Sequence, residues 1–213
     1  MKFVCAIAAA AGIASAANAD VLYDADFSTN GIGFTHTTSS PLGAASGSVN
    51  GSNFTLSYAN SPSTDSSGNY FLTNNGVLES ADFGGDHAFE SFDIDVTSFD
   101  EVTIDFLNEF LGTDSFNNSP TEFIEYYYTL DGGSQQQFYY FTDDPNGVDL
   151  NSSLVLDVSA ASTLRVGLNA NVNGGGDGFA LSSATVTGSP VPAPGSAALL
   201  AAAGILAARR RRA

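Results

Sequence analysis

Two short stretches of this sequence concentrate its aromatic rings. Phe123, Tyr126, Tyr127 and Tyr128 fall in one, and Phe138, Tyr139, Tyr140 and Phe141 in the other. Rings presented at strand spacing can stack on the flat faces of sugars, and Gln135 and Gln137 beside them can hydrogen-bond hydroxyls. The same residues also make ordinary cross-strand aromatic pairs. The chain has no Trp, the side chain best suited to sugar stacking, which counts against the first use.

Oxygen-rich loops offer a second chemistry. Asp143, Asp144, Asn146 and Asp149 surround Gly147, and closely spaced side-chain oxygens at a glycine turn suit calcium. The spacing is not that of an EF-hand, and the closing Glu is missing. Asp, Asn, Pro and Gly are equally the residues of any turn. Asn171, Asn173 and Asp177 around Gly174-Gly175-Gly176 form a similar, weaker group.

Catalytic sets are thin. Glu109, Glu122 and Glu125 lie near expected strand ends, and hydrolysis of a glycosidic bond needs two carboxylates at a defined separation. In so acidic a chain, a suitable pair arises by chance. His36 and His87 are the only histidines and make a poor metal set. No Gly-x-Ser-x-Gly elbow is present. Cys5 is the single cysteine, so a body without it has no disulfide and no thiol nucleophile.

The elements that must position these residues are strands. Phe54 to Tyr58 alternates with period two. Tyr70 to Leu72 and Val77-Leu78 flank the turn residues Asn74-Asn75-Gly76. Within His87 to Val96, the alternation puts Phe92, Ile94 and Val96 on one face. Val102, Ile104 and Phe106 share a face opposite Thr103 and Asp105. Phe123 to Leu130 and Gln135 to Phe141 form a hairpin across Asp131-Gly132-Gly133. Leu164, Val166 and Leu168 alternate with Arg165, Gly167 and Asn169, and Phe179 to Thr187 closes the body. Helical spacing is absent, so about ten short strands predict an all-β fold, an antiparallel β-sandwich.

Charge narrows the partners. Arg165 is the only cation between residues 20 and 188, a span that holds all 23 Asp and Glu. Phosphate backbones need positive charge, so nucleic acid is excluded.

Both ends read as addresses. Met1-Lys2, an apolar run from Phe3 to Ala14 and the small residues of Ala17-Asn18-Ala19 form a secretory signal peptide (residues 1–19). Cleavage after Ala19 by signal peptidase would leave Asp20 first and residues 20–188 as one domain. Residues 189–213 hold Val191-Pro192-Ala193-Pro194, an uncharged run of 14 residues from Gly195 to Ala208, and Arg209-Arg210-Arg211-Arg212. A stable span needs ~20 apolar residues, so this run predicts a transient inner-membrane anchor, its arginines held in the cytoplasm.

That tail resembles the PEP-CTERM sorting signal of exported bacterial proteins. The resemblance implies processing by an exosortase and delivery to the cell surface or matrix. It departs from the family at Ala193, where the name implies Glu. A second resemblance lies in the body. Asp100 to Phe106, Tyr126 to Gly133, Leu164 to Asn171 and Gly178 to Gly188 follow the order seen in jelly-roll sandwiches of the galactose-binding-like and carbohydrate-binding-module type. That group often places Asp-Asn or Asp-Asp on its last strand, where Ser182 and Ser183 stand in this chain. Together these imply an exported, non-enzymatic surface protein, structural or associated with exopolysaccharide. The alternative is a carbohydrate-binding module whose glycan site is calcium-assisted or lined by Tyr126, Tyr127, Tyr128, Tyr139 and Tyr140. A glycan hydrolase is a second alternative.

Overall fold

The computed structural model describes residues 19–35, 46–59, 69–83, 85–111, 122–142, 150–172, 176 and 178–190. In chain order the strands are β1 (Asp20–Asp24), β2 (Gly33–Thr35), β3 (Ser46–Asn50), β4 (Phe54–Ala59), β5 (Tyr70–Asn74), β6 (Val77–Ala81) and β7 (Asp86–Ser91). They continue with β8 (Ile94–Asp95), β9 (Phe99–Phe110), β10 (Phe123–Leu130), β11 (Gln136–Phe141), β12 (Ser152–Asp157), β13 (Thr163–Asn171) and β14 (Gly178–Pro190).

All pairings are antiparallel and build two seven-stranded sheets. The first runs β12-β9-β14-β6-β5-β2, with β1 beside β14. The second runs β11-β10-β13-β7-β4-β3, with β8 beside β13. The chain crosses repeatedly between the sheets from β2 onward, so apart from hairpins such as β5-β6 and β10-β11 neighbours within a sheet are distant in sequence. The expected all-β sandwich is what the chain forms. The apolar runs near the two ends, expected as a signal helix and a C-terminal hydrophobic helix, lie outside the described residues.

The core sits between the sheets and follows the alternation. Val102, Ile104 and Phe106 on β9 face Leu164, Val166 and Leu168 on β13, and all six are buried. Phe106 stacks on Tyr126 of β10, their centroids 4.5 Å apart and rings 6° from parallel. The Tyr126 hydroxyl is satisfied there: it donates to Leu150 O at 2.8 Å and accepts from Asn108 Nδ2 at 2.9 Å. Removing it in Tyr126→Phe strands a buried carbonyl and a buried amide. The expected loss is about 2 kcal/mol of unfolding free energy, read from urea denaturation.

Turn chemistry sets the register of both hairpins. Asn75 and Gly76 have φ of 50° and 87°, and Asp131 and Gly132 have 50° and 67°, the paired positive values that a tight hairpin requires. Asp131 also accepts from the Ser162 and Thr163 amides at 2.8 and 2.9 Å, which ties this turn to the start of β13.

The structure departs from expectation in two places. Four more strands form than the ten expected, and β2, β3 and β8 are short or polar stretches recruited by a neighbour's backbone. Phe92 does not join Ile94 and Val96 in the core. It is 41% exposed, because β7 ends at Ser91 and Phe92 donates its N–H to Asn53 O at 3.1 Å.

Candidate functional site

Strand register assembles the site on the outer face of the second sheet. On β10, Ile124 and Tyr126 point into the core, which turns Phe123, Glu125 and Tyr127 outward. Pairing then places Tyr140, Glu125, Asn169, Ala88 and Ser57 side by side across β11, β10, β13, β7 and β4. Phe123, Asn171, Asp86 and Ala59 lie in the next row. An open groove of about 370 Å³ crosses these rows. Its lining includes Ser57, Ala59 and Ala88, whose small side chains leave a trough, with Phe123, Glu125 and Asn169 at one end. Strand spacing makes the row from Glu125 to Ser57 ~14 Å long, the scale of a short run of pyranose rings.

Phe123 and Tyr140 stand at that end as a stacked pair, centroids 5.9 Å apart and planes 22° from parallel. Tyr140 is 50% exposed. The polar groups are held from β13. Asn169 Nδ2 donates to Glu125 Oε1 at 3.0 Å and to Gln135 Oε1 at 3.5 Å, while Asn171 Nδ2 donates to Asp86 Oδ1 at 3.1 Å. Asn171 is 8% exposed, and its Oδ1 is buried without a hydrogen-bond partner.

The expected tyrosine ladder dissolves into separate roles. Tyr126 is core. Tyr139 packs inward against it, rings 5.1 Å apart, and Tyr128 packs inward against Phe138. Both Phe138 and Tyr139 can face the core because the β10–β11 register shifts between Tyr126 and Tyr127. Tyr127 faces outward yet is buried, its ring lying over Gly167 of β13. Burial, then the charges of Glu90 and Glu125, push its hydroxyl pKa well above the usual tyrosine range. Of the five tyrosines, Tyr140 alone is exposed, while Tyr128 and Tyr139 are half-buried.

The carboxylates considered for hydrolysis do not converge. Glu109 faces outward on the first sheet and Glu125 outward on the second, so the sandwich separates them. Glu122 is buried. His87 belongs to β7, and its ring points into the core between Phe71, Phe83 and Phe179. Nδ1 lies 3.0 Å from Gly85 O, which can only accept, so Nδ1 carries the proton. Nε2 therefore accepts from Ser80 Oγ of the opposite sheet at 3.0 Å. Burial pushes the His87 pKa down to about 4. This imidazole is neutral and enclosed, unsuited to proton transfer with a ligand.

Arg165, the body's one cation, is engaged with Asp93 at 2.6 Å and Glu90 at 3.6 Å. At Ser182-Ser183 the β9–β14 register shifts, and Ser182 Oγ donates to Leu107 O at 3.1 Å. Among the described residues, no three His, Cys, Asp or Glu side chains group as a metal site, and no helix is long and apolar enough to cross a membrane. The calcium candidates Asp143, Asp144, Asn146 and Asp149, with His36, Asn173 and Asp177, lie outside the described residues. So do Ala17 and the sorting residues Val191, Pro192, Ala193, Pro194 and Arg209 to Arg212. Ala19 is exposed, one residue before β1.

No protein-family model matches this chain, and no curated protein does. Among solved structures, it is similar to a xylanase 10C mutant from Cellvibrio japonicus in complex with xylopentaose, at 15% identity and TM-score 0.41, covering 66% of this chain. The chain spans 28% of that protein's length. It is also similar to the xylan-binding module CBM15, at 13% identity and TM-score 0.41, covering 70% of this chain and all of that one (100%). A third likeness is to TmCBM61 in complex with β-1,4-galactotriose, at 9% identity and TM-score 0.40, covering 72% and 97% of the two chains. At these scores the likenesses add nothing to the assignment of the sandwich, which rests on the strand pairings.

Proposed function

We propose that this protein is an exported, non-catalytic carbohydrate-binding module whose groove on the second sheet holds a stretch of polysaccharide. One observation carries the reading: a stacked, partly exposed aromatic pair stands at the end of an open trough floored by small side chains and edged by ordered carboxylates and amides. Sugars need both kinds of surface, an apolar ring face to stack on and fixed polar groups for their hydroxyls. A purely structural sandwich needs neither. This favours a binding module over the scaffold role that the sequence first suggests. The separation of Glu109 from Glu125, with Glu122 buried, supports binding without hydrolysis.

The termini supply the rest of the proposal. A signal peptide and a PEP-CTERM-like tail would export the module and hand it to an exosortase-type enzyme, which would leave it at the cell surface or in the matrix. Intact mass of protein recovered from a surface fraction tests this, beside a version lacking Arg209 to Arg212. The native mass is expected to lack the tail, and a full-length native C-terminus would contradict the sorting claim.

The groove is tested by Tyr140→Ala. Truncating an aromatic contact of this kind is expected to weaken glycan binding by about 2 kcal/mol, roughly thirtyfold. Titration calorimetry against soluble linear oligosaccharides reads the change, and an unchanged affinity would remove Tyr140 from the site.

A further inference from the structure

Resting on that reading, we infer that the groove selects glycans carrying free amines, a polymer of unacetylated amino sugars, over neutral or uronic-acid polymers. Asn169 directs both N–H groups of its amide at Glu125 and Gln135. Asn171 directs its amide at Asp86. Each carboxylate is thereby oriented through one oxygen, and the second oxygen, Glu125 Oε2 or Asp86 Oδ2, is bonded to no described protein group. Asn171 Oδ1 beside Asp86 also lacks a hydrogen-bond partner, but it is sealed from solvent, so the acceptors within a ligand's reach are the two carboxylates.

What the protein offers a ligand at this end of the groove is therefore mostly oxygen. An ammonium group brings three donors and no acceptor, whereas a uronate carboxylate brings only acceptors. Among the described residues no free cation intervenes, since Arg165 is held by Asp93 and Glu90. Ser57 Oγ and Tyr140 OH serve either role, so ring hydroxyls are still accommodated along the rest of the trough. Asp86 and Glu125 stand in adjacent rows on either side of β13, so a chain lying across the strands meets both.

The test uses the full chain and three oligosaccharides of equal length: a β-linked glucosamine oligomer with free amines, its fully N-acetylated counterpart, and an oligogalacturonate. Binding is measured at about pH 6, where ordinary carboxylates are ionised. The variants are Asp86→Asn and Glu125→Gln, which keep shape and remove charge, with Asp105→Asn and Glu109→Gln on the opposite sheet as controls of equal charge. The free-amine oligomer is expected to bind at least tenfold tighter than the acetylated one, and the uronate not measurably. Each groove variant is expected to lose roughly tenfold, and the controls nothing.

Equal affinity for free-amine and acetylated oligomers, with Tyr140→Ala still disrupting both, would overturn the amine preference and leave glycan binding standing. Equal losses in groove and control variants would assign the attraction to the whole acidic surface and overturn the inference. Failure of every oligomer to bind, with Tyr140→Ala silent, would overturn both readings.

Discussion

Gly167→Ala is expected to cost about 3 kcal/mol of stability and to disorder the groove with it. A Cβ at this position collides with Cζ and the hydroxyl of Tyr127 and lies 2.8 Å from Phe89 O. The tyrosine can swing away only by exposing a ring that is now 2% accessible, and the carbonyl belongs to β7 and cannot move without breaking its ladder. Tyr127 also neighbours Glu125 across the register that holds the Glu125–Asn169 bond, so its expulsion disturbs the wall of the trough. Urea denaturation gives the cost, and a double-mutant cycle with Tyr127→Ala assigns it. In the Tyr127→Ala background the penalty of Gly167→Ala is expected to fall by more than half. An undiminished penalty would place the whole clash on the Phe89 carbonyl.

The second large effect is a loss of stability in mild acid from His87. Its folded pKa, pushed down to about 4 by burial, lies below the ordinary 6.5. Between those values the unfolded chain binds a proton that the folded chain refuses, so stability rises with pH across that window. The contribution is complete above pH 6.5 and is lost as pH falls towards 4, amounting to about 3 kcal/mol. Protonation would also turn Nε2 into a donor, so the Ser80 hydroxyl, which now donates to it, would have to rotate to accept. His87→Gln removes the titration while keeping a group that can donate and accept. Unfolding free energy measured from pH 7 to 4 is expected to slope for the parent and to flatten for the variant. Identical slopes would show that another group governs the acid limb. Asp26, Asp95, Asp131 and Asp157 are held below the usual carboxylate range by hydrogen bonds from Ser28, Thr97, Thr163 and Ser159. They destabilise in the same direction, but at lower pH and equally in both proteins.

Much of the sandwich is written in local pattern. Val102, Ile104 and Phe106 alternate with polar residues because one face of β9 is wet, and the same holds for Leu164, Val166 and Leu168 on β13. Asn75-Gly76 and Asp131-Gly132 announce their hairpins because few other pairs tolerate two positive φ values in succession. The polar β3 has no such mark: its Ser, Gly and Asn residues form a strand only because β4 offers an unpaired edge. Phe92 misleads for a related reason. Period-two spacing continues through it, but the strand does not.

The site is only half legible. Phe123, Glu125 and Tyr140 lie close in sequence and stand out by type, although Glu125 first suggests acid catalysis rather than recognition. Asp86, Ala88, Asn169 and Ser57 come from three other strands, and only register brings them together. Asn169 and Asn171, alternating with the buried Leu168 and Ala170, join Arg165 in marking the outer face of β13 as polar. Tyr127 is the opposite case, since nothing in the sequence around it says that Gly167 will lie beneath its ring.

The central claim is that this groove holds glycan, and amide chemical-shift mapping of the full chain tests it most directly. With the free-amine oligosaccharide added, the largest shifts are expected at Ser57, Ala88, Phe123, Glu125, Asn169 and Tyr140. Shifts confined to the outer face of the first sheet, around Thr103, Leu107 and Val155, or absent from the groove with every oligosaccharide tried, would contradict it.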